Sequence, residues 1–438
     1  MKTTTVKKIT AGIALSLVTS TMLHATNGDT LIAVGAKSRG MGGTGIGISH
    51  GAESTLANPA MITTVEGTEI SFGGTIFMPE ITTTLNNAPG TGVPPQTPLD
   101  SDADMNMIPE VSLAMKLNDN WYIGIGMWGT AGMGTDYSKA PNTVFTNGQY
   151  GNFNMVTNLQ LMQFAVPVAY KTNGFSIAVA PILQYGNLDI NFRMPSQAHP
   201  GELQNIGAGL AQDFGFGWSV GAAYDFAQSG IEGLTVGAVY KSSIEMDYEG
   251  QIVNAATPFG LGAIGDTLEQ PAEYGVGLSY VMGQHTFAFD YKKIKWSDAK
   301  GYKFVNWDDQ DVIAIGYQYA QDNWALRAGY NYSSSPLSAQ DTSFAGAPTP
   351  AAMKASSVNF FNLLGFPATA EKHFTLGGTY AFSEKFSLDL AYVYSPSETD
   401  TYDLGVYRFP PAAGGMGLQS ITTEHQESSL SFQLTYNF

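Results

Sequence analysis

The chain has no cysteine, little charge and no long apolar run. Without cysteine, no disulfide can staple it, so a large hydrogen-bonded framework must hold it together. Only 13% of its 438 residues are Asp, Glu, Lys or Arg, against roughly 25% in soluble globular domains. Basic residues are the scarcer kind, 20 against 37 acidic, for a net charge of -17. That balance argues against a nucleic-acid partner. No internal stretch approaches the ~20 consecutive apolar residues of a membrane-spanning helix, and mean hydropathy is only -0.05. What the chain does have is 50 glycines, 22 tyrosines and 24 phenylalanines. Such a chain suits a large soluble β-protein or a transmembrane barrel.

The first residues, MKTTTVKKITAGIALSLVTSTMLHAT, carry Lys2, Lys7 and Lys8 before an apolar stretch from about Ile9 to Leu23. Small residues then precede a plausible cut after Ala25. This is the pattern of a secretory signal peptide over residues 1–25, too short and wrongly flanked for a lasting anchor. Its removal takes three lysines away, leaving -17 - 3 = -20 on the mature chain.

From Gly67 onward, apolar and polar residues alternate with period two, the signature of β-strands. At the C-terminus, Leu430, Phe432, Leu434, Tyr436 and Phe438 fall on one face, with Ser429, Ser431, Gln433, Thr435 and Asn437 on the other. Tyr274, Val276, Leu278 and Tyr280 repeat the pattern. A sandwich would bury such faces sheet on sheet, whereas a membrane barrel turns them to lipid. Tyr and Phe gather at strand ends, where a barrel needs its interfacial girdles. Connection lengths point the same way. Tight links such as LNDNW, YKTNG, VMGQH and FSEKF alternate with long segments near 86–108, 135–150, 194–211, 250–270, 297–309, 334–370 and 397–423. Short periplasmic turns and long extracellular loops have this rhythm, and a sandwich has no reason to sort its loops by length. About fourteen strands are predicted. The expectation is a transmembrane antiparallel β-barrel over 67–438, with residues 26–66 as a compact plug in its lumen.

Several motifs invite chemistry. Gly40, Gly42 and Gly45 match G-x-G-x-x-G, but the following stretch is a poor helix, so turn-rich packing is expected rather than a nucleotide site. GWSVG at 217–221 matches the hydrolase pattern around Ser219, yet it lies inside a strand pattern instead of a strand-to-helix elbow. The six histidines lack H-E-x-x-H or paired spacing, so neither metal nor cofactor is expected. Acidic residues at SDADMN (101–106) and Asp308–Asp309 read as solvated loops, with a bridging divalent ion as the sharper alternative. The long segments also carry apolar clusters: Phe259 and Leu261 in one, Phe361 and Leu364 in another. Such surface marks a ligand groove or loop-on-loop packing. By strand phase, Leu159, Leu161, Tyr122 and Trp128 face inward, unlike a water-filled porin lumen.

The chain resembles the FadL-type outer-membrane transporters of long-chain fatty acids and aromatic hydrocarbons. The resemblance runs over essentially the whole mature chain, through GAKSRGMGGTGIGISHGAESTLANPAMIT, PEVSLAMKLNDNWYIGIGMWGT, FDYKKIKWSD, DNWALRAGYNYSSSP and the terminal Phe438. Its most specific part is the triplet Asn58, Pro59 and Ala60. It implies a fourteen-stranded barrel stoppered by an N-terminal hatch, with the third strand bent inward to open a gap in the wall. Gly129, Gly132 and Gly134 are placed to supply that bend. It further implies that an apolar ligand lands among the loops, moves to a lumen pocket beside the hatch and leaves sideways into the bilayer. Family members hold a carboxylate with basic lumen residues, and here Arg327, Lys292 and Lys241 are the candidates. Asp290, Asp389 and Asp225 also face inward, so a lumen salt bridge competes with that role. The substrate stays open between fatty acids and neutral hydrocarbons. Expected partners are this hydrophobic ligand, outer-membrane lipid and lipopolysaccharide, with the protein a monomer in a Gram-negative outer membrane. The competing readings are a general diffusion porin and, more remotely, an outer-membrane lipase-type enzyme using Ser219.

Overall fold

A computed structural model describes residues 27–87, 98–139, 144–145, 149–150, 153–196, 199, 202–207, 209–409 and 416–438. The signal-peptide segment lies outside them. Fourteen strands form the wall: β1 Thr68–Asn87, β2 Asn106–Lys116, β3 Trp121–Met133, β4 in two runs (Val156–Ala165 and Val168–Thr172), β5 Phe175–Pro195, β6 Ala211–Asp225 and β7 Leu234–Lys241. They continue with β8 Glu273–Met282, β9 His285–Ile294, β10 Gln310–Gln321, β11 Trp324–Ser333, β12 Lys372–Ser383, β13 Phe386–Phe409 and β14 Met416–Asn437. Each pairs antiparallel with the next. The sheet closes where β1 meets β14, from Glu69↔Asn437 to Asn87↔Leu418. Closure removes both edges, the condition for a sheet to cross a membrane. No described helix is long and apolar enough to do so.

The period-two pattern sorts the side chains as the sequence predicts. On β8, Tyr274, Val276, Leu278 and Tyr280 stand 41–53% exposed on the outside, while Ser279 between them is 4% exposed within. Phe287, Phe289, Ile315, Leu326, Leu376, Leu390 and Leu430 extend the same outward apolar band to other strands. Lipid tails cover that band at about 25 cal/mol per Å² removed from water.

Of the segment 397–423, expected to be a long loop, residues 410–415 lie outside the described residues, and 397–409 and 416–423 are instead the upper parts of β13 and β14. These run 24 and 22 residues and pair as far as Phe409↔Met416. At about 3.3 Å per residue they far exceed the ~25 Å apolar band of a barrel. Above that band no apolar alternation is required. Hydroxyl pairs such as Thr401–Thr422, 2.8 Å apart, replace it. Described residues of the other long segments, among them Leu99, Tyr137, Phe259, Tyr302 and Phe361, pack together over the upper mouth. One segment carries helix α1, Gln251–Ala256, and another carries helix α2, Pro350–Gly365. The latter opens with Thr349 accepting from the Ala352 N–H and Pro350 at its first position, an N-terminus pre-set by both residues.

Residues 27–66 lie inside the ring of strands and touch all fourteen. Ala52 N–H donates to Glu69 on β1, Gly35 N–H to Glu110 on β2, and Leu31 N–H to the Thr130 carbonyl on β3. Thr63 meets Lys171 on β4 and Ser176 on β5, and Asn58 reaches Ala222 on β6. Ile46 abuts Gly237 on β7, Gly47 receives Ser279 on β8, and Gly45 N–H donates to Asp290 on β9. Met41 rests on Gly316 of β10, Gly42 binds Asn331 and Thr375 on β11 and β12, Lys37 lies 3.9 Å from Asp389 on β13, and Arg39 donates to Ser429 on β14. The G-x-G-x-x-G glycines serve this contact. A Cβ on Gly329 would sit 2.1 Å from the Gly42 nitrogen, and Gly42 itself has φ +70. Two backbones touch there with no room for a side chain on either.

Candidate ligand site

The wall opens in one stretch. β2 and β3 pair from Lys116↔Tyr122 up to Glu110↔Trp128, and there the ladder stops. β2 nevertheless continues to Asn106, paired only with β1, and β3 continues to Met133, paired with β4. The β3 register slips between Gly129 and Ala131, leaving Thr130 as an extra residue in a bulge, which bends a strand. Gly129 lies where the strands part: a Cβ there would be 2.5 Å from Ile108 Cγ2. Past the bulge, β3 takes the leading segment as its new neighbour. Leu31 N–H donates to the Thr130 carbonyl at 3.0 Å and Gly132 N–H to the Asp29 carbonyl at 2.8 Å. Gly134, with φ 150, follows the strand's end. Leu31, Phe77 and Ile108 pack together in a buried cluster at this parting.

Above the lumen, one buried apolar cluster unites residues from distant segments. Trp128, Leu159 and Leu161 of the wall join Phe259, Leu261, Phe361 and Leu364 of the loops. The Phe259 and Phe361 rings sit 5.2 Å apart, edge to face. Trp128 turns inward and its indole N–H donates to Ser112 at 2.8 Å. Beside these side chains lies a cavity of about 60 Å³, walled by Leu261, Phe361, Met133, Tyr302 and Trp307 and almost without polar surface. The sequence reasoning missed the aromatic group Trp296, Tyr302 and Trp307, whose ring centroids lie 4.6–5.0 Å apart. In WSDAKGYKFVNW the only signal was the density of aromatic residues, with no period to pair them. Tyr302 donates to Asp29 of the leading segment at 2.5 Å, and Gln270 donates to the same carboxylate at 2.9 Å. Burial pushes the Asp29 carboxyl up to about 6, against the lowering effect of those two donors.

A second cavity, about 90 Å³, lies between the leading segment and the wall. Leu31, Ile32, Val34, Ile46 and Leu56 give it an apolar side, while Lys241, Lys292, Glu273 and Asp290 give it a charged one. Lys241 and Lys292 converge on one carboxylate oxygen of Glu273, at 3.7 and 3.3 Å. Asp290 accepts from the Gly45 and Ile46 N–H groups at 2.7 and 2.8 Å. Glu53 of the leading segment also lines this cavity. Burial pushes its carboxyl up to about 8.

Arg327 does not join these lysines. It donates to Gln318 and Thr379, both at 2.7 Å, and lies 3.4 Å from Asp389, which also faces Lys37. It borders a separate recess of about 960 Å³ shared with Phe438 and the tight turn at Glu384 and Lys385. Arg327 lies on the inward face that strand phase assigns it, but near the short-turn end of its strand. Ser219 faces inward in mid-β6, opposite Lys241 in the ladder, with no elbow around it. Among the described residues no group of three His, Cys, Asp or Glu converges to hold a metal ion.

The Asn58–Pro59–Ala60 triplet packs between leading segment and wall. Asn58 accepts from Ala60 N–H at 3.0 Å and donates to the carbonyls of Ile46 and Ala222, at 2.8 and 3.1 Å. Pro59 starts the short helical turn Pro59–Thr64, and Ala60 is fully buried.

A closed fourteen-strand ring with an apolar exterior, a filled lumen and long loops over one mouth defines an outer-membrane β-barrel of the transport type. The family described as outer membrane protein transport protein (OMPP1/FadL/TodX) matches residues 18–348, and the chain belongs to it. It is therefore an outer-membrane transport protein, not an enzyme. It is 24% identical over 422 residues to a long-chain fatty acid transport protein of Salmonella typhi, covering 84% of this chain and 88% of that one. A protein of the same description from an Escherichia coli strain is 24% identical over 409 residues, covering 80% and 84%. Among solved structures, the Pseudomonas putida toluene transporter TodX superimposes with a TM-score of 0.65 at 18% identity, covering 93% of this chain and 99% of that one. A Pseudomonas aeruginosa FadL homologue gives 0.64 at 15% identity, covering 96% and 100%.

Proposed function

We propose that this barrel takes up hydrophobic compounds, long-chain fatty acids or aromatic and aliphatic hydrocarbons, and releases them sideways through the wall between β2 and β3. Residues 1–25 are the cleaved leader, 26–66 the hatch and 67–438 the barrel, working as a monomer among lipopolysaccharide and outer-membrane lipid. An apolar molecule enters the chamber beside Leu261 and Phe361, with Phe259, Leu364, Leu159, Leu161 and Trp128 supporting its walls. It passes the Asp29 contact to the cavity beside Lys241 and Lys292, then leaves past Leu31 into the bilayer. This route keeps the molecule out of water, where each exposed CH₂ costs about 0.8 kcal/mol. A diffusion porin has no use for a lumen crossed by a segment in contact with every strand.

The observation that carries the reading is the ladder that stops at Glu110↔Trp128 while both strands run on. Gly129, Gly132 and Gly134 permit the turn away, and the bulged Thr130 enforces it. Deletion of Thr130 would restore an unbroken register and close the parting. Uptake of a labelled hydrocarbon by cells relying on this chain should then fall at least tenfold, with heat-modifiable migration on gels retained. Undiminished uptake by a folded deletion variant would refute the lateral exit.

A further inference from the structure

The 90 Å³ cavity carries more information about its ligand than its apolar side does. Its charged groups cancel. Lys241 and Lys292 are matched by Glu273 and Asp290, and Glu53 adds either nothing or a further negative charge. No net positive charge is left over to receive a carboxylate, and two ammonium groups already inside disfavour a third. What is left over is mostly hydrogen-bond acceptors, since even a protonated Glu53 keeps acceptor lone pairs beside its single O–H. Both carboxyl oxygens of Glu53 lack a hydrogen-bond partner among the described residues, although the side chain is only 4% exposed. Asn331 is 1% exposed, and its amide N–H donates to the Gly42 carbonyl at 3.0 Å. That bond sets the amide's orientation and leaves its Oδ1 unpartnered. Both side chains line the cavity. Buried acceptors without donors are costly unless something supplies the donor.

From this geometry we infer that the lumen cavity prefers an uncharged hydrocarbon bearing a hydroxyl group, a phenol or an alkanol, over both the bare hydrocarbon and the matching carboxylate. The hydroxyl donates its proton to Glu53 or Asn331, and the hydrocarbon body lies on Leu31, Ile32, Val34 and Leu56. The inference rests on the transport reading above and narrows its substrate class.

Three probes of one ring size separate the cases: 4-methylphenol, toluene and 4-methylbenzoate, titrated calorimetrically into the mature protein in lipid nanodiscs. The phenol is expected to bind at least tenfold tighter than either of the others. Glu53→Met should bring it to within about twofold of toluene. Should that variant fail to fold, the ranking in the native chain decides alone. A carboxylate that binds as tightly as the phenol overturns the inference, as does a phenol no tighter than toluene, the result expected if water alone satisfies the acceptors. In both cases the transport reading stands. Failure of all three probes to bind removes that reading along with this one.

Discussion

Asn58 anchors the hatch with one side chain. Its oxygen caps the turn at Ala60, and its amide holds the carbonyls of Ile46 on the hatch and Ala222 on the wall. Replacing it with alanine removes the partner of the buried Ile46 carbonyl and of the buried Ala60 N–H, at about 1–3 kcal/mol for a lost buried partner. Asn58→Ala should therefore speed amide exchange over residues 58–65 while leaving the barrel's thermal transition in place. Glu53 makes a pH-dependent contribution of definite sign. Burial raises its carboxyl from 4.5 to about 8, so the docked hatch binds a proton that the undocked hatch releases. Its stabilising effect is complete below about pH 4.5 and is lost as pH rises through about 8. A neutral Glu53→Gln hatch has no such term. The stability difference between the two chains should shift toward the variant by on the order of 5 kcal/mol across that window, read by denaturant titration in detergent. A difference that stays flat with pH would place Glu53 in water.

At the scale of elements, the hatch and wall meet through glycine against glycine. Gly42 on Gly329 and Gly40 on Gly377 let two backbones lie in contact, and Met41 on Gly316 adds a third close approach. Gly329→Val should lift the hatch at this edge, producing a steady conductance in planar bilayers where the native protein is silent. The barrel should keep its heat-modifiable migration, since the outward face of β11 is untouched. The strands that cross the bilayer were legible because lipid on one side and lumen on the other impose a strict period of two. The upper halves of β13 and β14 were not, because above the membrane polar residues outnumber the few apolar ones, Tyr402, Leu404, Leu418 and Ile421, that turn inward. Arg327 shows a second limit. Alternation tells which face a side chain takes but not its height along the strand, and height separates Arg327 from Lys241 and Lys292. The loop apolar residues Phe259, Leu261, Phe361 and Leu364 were visible as misplaced hydrophobes. The Trp296, Tyr302 and Trp307 group was not, because three rings in an irregular connection have no period.

At the scale of the whole molecule, the chain replaces disulfides and long helices with one closed ladder, in which β2 and β3 part above Glu110↔Trp128. All fourteen strands hold the hatch, so the opening in the wall is not a sign of a loose fold. Leu31 packs on Phe77 and Ile108 where β2 and β3 part, placing the hatch's leading edge at the exit. The absence of native cysteine makes this opening directly testable. A Cβ at position 129 lies 3.7 Å from the Ile108 Cβ, within the span a disulfide bridges. The double variant Ile108→Cys, Gly129→Cys can therefore be stapled by oxidant and released by reductant in the same cells. If ligand leaves between these strands, uptake of a labelled hydrocarbon should drop at least tenfold on oxidation and recover on reduction. Equal uptake in both states, with the cross-link verified by mass spectrometry, would contradict a lateral exit.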